Sequence, residues 1–308
     1  MDRTPGRDRL LVAVDVDGTL LDTEFDDVLG ARSIAALEAV RAAGHTVALC
    51  TGRNLPSVSS LLESSGWFPD DLPLVLLNGA LVLGGRPRRQ LACAVLEGPL
   101  VHRLVALFRE HGTVPMVYGL DSDGGLLRHE SRPVNDVLGR YLDVRRRSVG
   151  RIEAVDDLLA LPWARALEVA TIDRRGPVEA LTAAIARELG QSVRVINTRS
   201  LLGEGAYWWA EAFDREAGKG AGLAVLAAEE GVPLARAVAI GDNFNDLDMF
   251  LACGTSVAMG NSPDEVKAAA DHLAGDVTAG GAAAVLEAIA AGDFPPPAAL
   301  AGCKELEP

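Results

Sequence analysis

Two aspartates two positions apart, Asp15 and Asp17, close the apolar run LLVAV and are followed at once by Gly18. Carboxylates this close repel unless a cation, a proton or hydrogen bonds compensate them. A strand-end cap or a solvated turn would explain a lone D-x-D, since short motifs recur by chance. The apolar lead-in argues for more. It reads as a strand covered on both faces, and open α/β sheets bind ligands at the carboxyl ends of such strands. The pair therefore calls for partners elsewhere in the chain. "CTGR" supplies Thr51, Gly52 and Arg53 after a second apolar strand. "GDNFNDLDM" supplies Asp242, Asn245 and Asp246 after a later one, and "EAGKGAG" sets Lys219 at the start of a helix. In a parallel sheet these ends converge on one crevice. The set offers two aspartates, a third acid for a hard cation, a hydroxyl and an ammonium. Mg²⁺ takes oxygen ligands and keeps several waters, so two carboxylates and a carbonyl suffice to hold it.

The elements that position these residues alternate. Residues 10–14 predict a strand, 31–43 a helix stopped by Gly44, 45–50 a strand, 55–65 a helix started by Asn54, and "PLVLLNG" a third strand. The rhythm returns late in the chain: a helix over 221–230, the strand "RAVAIGD", a short helix over 245–253, the strand "TSVAMG", a helix capped by Ser262 with Pro263 at its first position, and a helix over 281–291. Such β-α-β units specify a parallel sheet with helices on both faces. The middle of the chain differs. "RALEVATID" and "SVRVIN" alternate, and "PVEALTAAIARELG" places Val178, Leu181, Ile185 and Leu189 on one helical stripe. Alternation predicts a sheet with one open face.

The fold class expected is therefore α/β: a Rossmann-like parallel core sheet, plus an inserted α+β domain. The expected bounds are 1–83 and 203–292 for the discontinuous core, 84–202 for the insertion and 293–308 for a mobile Pro-rich tail. Gly84, Gly85, Gly203 and Gly205 are the expected hinges.

Composition narrows the partners. The 308 residues are 49% hydrophobic and carry a formal charge of −14. No sustained basic run is present, Arg145 to Arg147 being too short, which argues against a nucleic-acid binder. No apolar run approaches the roughly 20 residues of a membrane helix. The first residues do not form a signal peptide, so a cytoplasmic location is expected. Four widely spaced cysteines without C-x-x-C argue against a zinc site or a disulfide scaffold. Oligomeric state is not legible.

The DxDGT box, the hydroxyl after the second strand, the lone lysine and the GDxxND box stand in an order that resembles the haloacid dehalogenase superfamily of phosphatases. The roughly 120-residue insertion, "NGA" at 78–80 and the full "GDNFNDLDM" spelling resemble its Cof-type subfamily, whose insertion is a cap. The resemblance implies a Mg²⁺-dependent phosphatase acting on a small-molecule phosphate ester. It implies that Asp15 is the nucleophile, forming an aspartyl phosphate, and that Asp17 is the acid and base. Asp15, the Asp17 carbonyl and Asp242 would hold the metal, with Asn245 and Asp246 nearby. Thr51 and Lys219 would bind phosphoryl oxygens, and Gly52, Arg53 and Asn78 would contact substrate.

Each residue taken singly has a plainer role. Asp242 could cap a helix and Asp246 lie on the surface. Lys219 could be solvated, Thr51 cap a helix, Arg53 pair with an acid and Asn78 serve a turn. Dense aromatics in "AYWWAEAF" read first as packing. Rival functions are a phosphosugar mutase using the same nucleophile and a phosphometabolite-binding regulator without catalysis. The intact Asp17 argues against the regulator, since a binder has no need of an acid–base group.

Overall fold

The computed structural model describes residues 9–22, 28–85, 88–121, 124–148, 151–200 and 202–294. In chain order, β1 is Leu11–Val14, α1 Ala31–Ala42, β2 Thr46–Cys50, α2 Leu55–Ser64, β3 Leu74–Leu76, β4 Leu81–Leu83 and β5 Gln90–Cys93. There follow α3 Gly98–Glu110, β6 Met116–Asp121, β7 Gly124–Glu130, α4 Asp136–Ser148, β8 Ile152–Val155, β9 Ala166–Arg174, α5 Arg175–Leu189, β10 Val193–Arg199 and β11 Tyr207–Asp214. The chain continues through α6 Lys219–Glu230, β12 Ala237–Gly241, α7 Leu247–Ala252, β13 Thr255–Ala258, α8 Asp264–Ala269, β14 His272–Leu273 and α9 Gly281–Ala291.

One sheet has the order β14-β13-β12-β1-β2-β3-β4-β5. From β14 to β3 its pairings are parallel, and β4 runs antiparallel to β3. The strands are apolar throughout because both faces are covered. Leu11, Ala13, Ala48, Cys50, Ala237 and Ala239 pack with α6 and α7 residues Leu223, Leu226, Met249 and Phe250. Val12, Val14, Val47 and Leu49 alternate to the other face and are buried as well. The other sheet has the order β10-β11-β9-β6-β7-β8 and is antiparallel except at β7–β8. One of its faces lies under α3 and α5, through Val101, Leu104, Phe108, Val178, Leu181 and Ile185.

The described chain forms two compact units. The first takes residues up to Gly52, 62–92 and from Gly218 on; the second takes 53–61 and 93–217. The insertion expected at 84–202 is thus shifted at both ends. At its start, β4 and β5 complete the first unit's sheet. Gly84 donates to Arg89 O, and a Cβ on Gly85 would stand 2.4 Å from Asp71 O. At its end, the "AYWWAEAF" segment is β11, paired on both sides by β10 and β9. Gly203 and Gly205 take φ of 68° and 78° in the β10–β11 turn, the reversal that antiparallel pairing requires. Trp209 meets Tyr141 edge-on at 4.9 Å, and Tyr207 and Trp208 stack with Arg174 and Arg175, so these aromatics pack inside the second unit.

Other expectations shift for local reasons. "PLVLLNG" leaves the sheet at Leu76 because Leu77, Asn78 and Gly79 take positive φ. Pro263, not Ser262, is the N-cap of α8. Of the tail, Asp293 and Phe294 bond back to Ala288 O, and Phe294 meets His272 edge-on; residues 295–308 lie outside the described residues. Cys50, Cys93 and Cys253 are free thiols. Among the described residues no helix is long and apolar enough to cross a membrane.

The alternation read in β9 does not give an open face. Every residue from Ala166 to Ile172 is buried, because α4 packs on β9 opposite the α3–α5 layer. Glu168 is caught there, hydrogen-bonded to the buried Glu211 of β11, and burial pushes its carboxyl up to about 7. The folded state thus holds a proton that the unfolded chain releases near pH 4.5. Its stabilising contribution is full below that pH and is lost as pH rises through about 7. Urea midpoints measured from pH 4.5 to 8 are expected to fall with pH in the wild type. Glu168→Gln, which keeps the neutral shape, should reduce that slope without abolishing it; an equal slope in the variant would show that Glu168 carries none of it.

Candidate active site

Register brings the chemistry together. Val14 pairs with both Leu49 and Ile240, so Asp15, the Cys50–Thr51 step and the Gly241–Asp242 step leave the sheet side by side at its carboxyl edge. Asp15 N still donates to Ile240 O. After β1 the chain folds back at once: Val16 O accepts from the amides of Thr19, Leu20 and Leu21. Gly18, at φ 86°, makes that reversal possible, and a Cβ there would fall 2.2 Å from Asp242 Oδ2. Glycine is required both for the backbone and for the closeness of the two loops. Asp17 lies half-buried in this turn.

Lys219 joins the acids. Its ammonium is fully buried and donates to Asp15 Oδ1 at 2.7 Å and to Asp246 Oδ1 at 2.6 Å. The glycines around it serve packing. A Cβ on Gly220 would strike Asp248 O of α7, and one on Gly222 would strike Val75 of β3. The bare helix face lets α6 sit close enough for Lys219 to reach the strand ends. Asp246 is held from the other side, its Oδ2 accepting from the amides of Asp242 at 2.9 Å and Asn243 at 3.0 Å.

Asp15, Asp242 and Asp246 offer oxygens within 4.8 Å of one another, all buried. Three carboxylates facing one ammonium leave two negative charges uncompensated. Burial pushes Asp15 up to about 7, against the pull of Lys219. Asp242 is driven well above the usual carboxylate range, first by burial and then by Asp15 and Asp246. Lys219 moves upward because the two aspartates outweigh its own burial. A site so tuned has room for a cation. The hydrogen bonds distinguish the three acids: both oxygens of Asp246 are taken by Lys219 and backbone amides, whereas Asp242 is hydrogen-bonded to Asp15 and takes the Thr19 hydroxyl.

The remaining expected residues divide. Thr51 is fully buried; its amide donates to Val75 O and its carbonyl accepts from Asn78 N. It does not cap α2, since Asn54 Oδ1 takes Ser57 N at 3.0 Å. Gly52 abuts Asn78. Asn78 is fully buried, and its side-chain oxygen accepts from Asn245 Nδ2 at 2.9 Å. Arg53 is buried and belongs to the second unit. Two residues escaped the sequence reading. Thr19 donates its hydroxyl to Asp242 Oδ1 at 3.2 Å, and Asn261 Nδ2 donates to Gly18 O at 2.8 Å. Their signal was place alone: Thr19 next to Gly18, and Asn261 just past the end of β13.

Comparison with known proteins agrees with this architecture. The family described as haloacid dehalogenase-like hydrolase matches residues 12–286. Escherichia coli pyridoxal phosphate phosphatase YbhA is 27% identical over 280 residues, covering 87% of this chain and 94% of that protein. An HMP-PP phosphatase of Escherichia coli is 25% identical over 271 residues, covering 85% and 88%. A haloacid dehalogenase-like hydrolase from Bacteroides thetaiotaomicron superposes with a TM-score of 0.74 at 21% identity, over 91% of this chain and 99% of that one. The subclass IIB sugar phosphatase BT4131 superposes with a TM-score of 0.71 at 18% identity, over 90% and 98%. The chain thus belongs to the haloacid dehalogenase-like hydrolase family, as a phosphatase of its Cof-type branch.

Proposed function

We propose that this phosphatase hydrolyses a small phosphorylated metabolite, a sugar phosphate or similar phosphomonoester, through an aspartyl phosphate on Asp15. The observation that carries the reading is the buried Asp15 carboxylate, bonded on one oxygen to Lys219 and facing Asp242. A carboxylate held on one side keeps its other oxygen for in-line attack on phosphorus. Asp17, on the same reversal, protonates the departing ester oxygen, then takes a proton from the water that cleaves the acyl phosphate. Lys219 and Thr51 bind the oxygens on which charge develops. Asp246 orients Lys219 and the backbone of the 242–243 step.

The donor set fits a hard divalent cation. Asp15 and Asp242 are oxygen donors without enough positive charge nearby, and Gly18 is bare where the loops meet. Mg²⁺ would be held by the Asp15 and Asp242 carboxylates and the Asp17 carbonyl. When bound, it supplies screening between the nucleophile and the anionic ester and polarises a phosphoryl oxygen. Asp242→Ala should weaken Mg²⁺ binding by at least tenfold in titration calorimetry and lower turnover in parallel. Unchanged metal affinity would remove Asp242 from the ligands.

Relatives named for pyridoxal phosphate and for HMP-PP support a small phosphorylated substrate. Such esters are charged and do not pass a bilayer, which favours a cytoplasmic enzyme. The unit that takes residues 93–217 is read as the cap that selects the leaving group, with bounds moved from 84–202. Phosphate release over a panel of metabolite monophosphates, with and without Mg²⁺, tests the function. No release from any ester in the presence of Mg²⁺ would sink it.

A further inference from the structure

The turn Leu77–Gly79 holds three consecutive residues in the left-handed region, with φ of 50° at Leu77, 49° at Asn78 and 96° at Gly79. Glycine adopts this freely. For a buried leucine and an asparagine the strain is of order 1–3 kcal/mol each, and it persists only where surrounding structure enforces it. The contacts of the turn show what it serves. Asn78 N donates to Thr51 O at 3.1 Å. The Asn78 side chain, fully buried, accepts from Asn245 Nδ2. A Cβ on Gly79 would lie 2.0 Å from Gly218 O, so Gly79 rests directly on the residue before Lys219. A Cβ on Gly52 would stand 3.3 Å from Asn78 Nδ2. One strained turn therefore touches the loop after β2, the loop after β12 and the start of α6.

We propose that Asn78 is a positioning residue. Its side-chain oxygen holds Asn245 and the loop after β12, its backbone N–H holds Thr51 O, and the left-handed turn sets the two bonds side by side. Asn78 spends its side chain on the protein, in contrast to the substrate contact that the resemblance implies for it. Asn245 is gripped at Nδ2, while its Oδ1 is buried and accepts no hydrogen bond among the described residues. The amide is thus fixed at one end and open to a donor at the other. For turnover the inference rests on the phosphatase reading; for loop order it does not.

Two variants test it. Asn78→Gly keeps the turn, since glycine takes φ 49° without strain, and removes the side chain that holds Asn245. Asn245→Ala removes the other end of the same bond without touching the turn. The readouts are kcat and KM for p-nitrophenyl phosphate with Mg²⁺, and hydrogen exchange around residues 51–52 and 242–246 with α9 as reference. Misplacement of reacting groups by about 1 Å costs on the order of 10²-fold. Each variant should lose roughly 10- to 100-fold in kcat, with KM within about threefold. The double variant should lose no more than the worse single one, because one bond is removed once. Exchange near residues 51–52 should rise in both variants while α9 keeps its protection. Unchanged exchange near 51–52 in both variants, fully multiplicative losses, or equal loss of protection in α9 would each overturn the proposal. If the wild type cleaves no ester, the phosphatase reading falls, and the exchange pattern still decides the role of Asn78.

Discussion

Asp15→Asn is expected to abolish turnover and leave the fold standing. The amide is nearly isosteric, but it cannot attack phosphorus and leave an acyl phosphate. Enzymes supply accelerations of about 10⁶-fold and more, so a residual rate above about a thousandth of wild type would contradict so central a role. Stability should barely change. Burial already pushes the Asp15 carboxyl up to about 7, so much of the metal-free protein at neutral pH carries it protonated. A neutral asparagine replaces a group that is half neutral there. Kinetics on p-nitrophenyl phosphate and a thermal melt without Mg²⁺ separate the two effects. A collapsed melting transition would mean that Asp15 holds the fold rather than the chemistry.

Lys219→Met should damage both activity and stability. The ammonium is fully buried between Asp15 and Asp246, and both bonds are charge-assisted. Methionine fills similar volume and leaves two buried carboxylates facing each other. Removing one member of a buried charge cluster costs about 3–5 kcal/mol, moderated when the stranded acids take up protons. Lys219 pulls the Asp15 carboxyl down against burial, so its loss should drive that carboxyl further up and neutralise the nucleophile at neutral pH. At least a 10³-fold loss in kcat/KM is expected, together with a clear drop in the urea midpoint of the metal-free protein. The drop should shrink as pH falls and the aspartates protonate. An unchanged midpoint would show that the acids are relieved by water rather than by Lys219.

The core elements were legible because their apolar runs are extreme. Leu11–Val14, Thr46–Cys50 and Ala237–Gly241 are buried on both faces, and only the middle of an α/β sheet demands that of a strand. Their turns were legible through Gly18 and Asn54, whose chemistry is local. The bounds of the second unit were not. Gly203 and Gly205 look like a hinge, and nothing local says that the next strand pairs back onto β10 and β9. Pairing between strands distant along the chain is a tertiary choice. Glu168 misled for the same reason, since an alternating strand cannot announce that α4 will cover its polar face.

The site divides along the same line. From sequence alone came the residue types: acids after two strands, a hydroxyl after another and a lysine opening a helix, in an order that restricts the chemistry. Side-chain chemistry and strand polarity are properties of short segments, so they can be read there. Tertiary structure decided how those residues share the work. It gave both oxygens of Asp246 to Lys219 and two amides, bonded Asp242 to Asp15, brought Thr19 and Asn261 beside them, and turned Asn78 inward onto Asn245. Apart from the two amides that Asp246 takes from its own loop, each outcome depends on which lone pair meets which donor across more than a dozen residues of chain, or on a bare glycine letting two backbones touch. Distances of a few tenths of an ångström settle such matters, and they exist only once the strands have paired and the helices have packed.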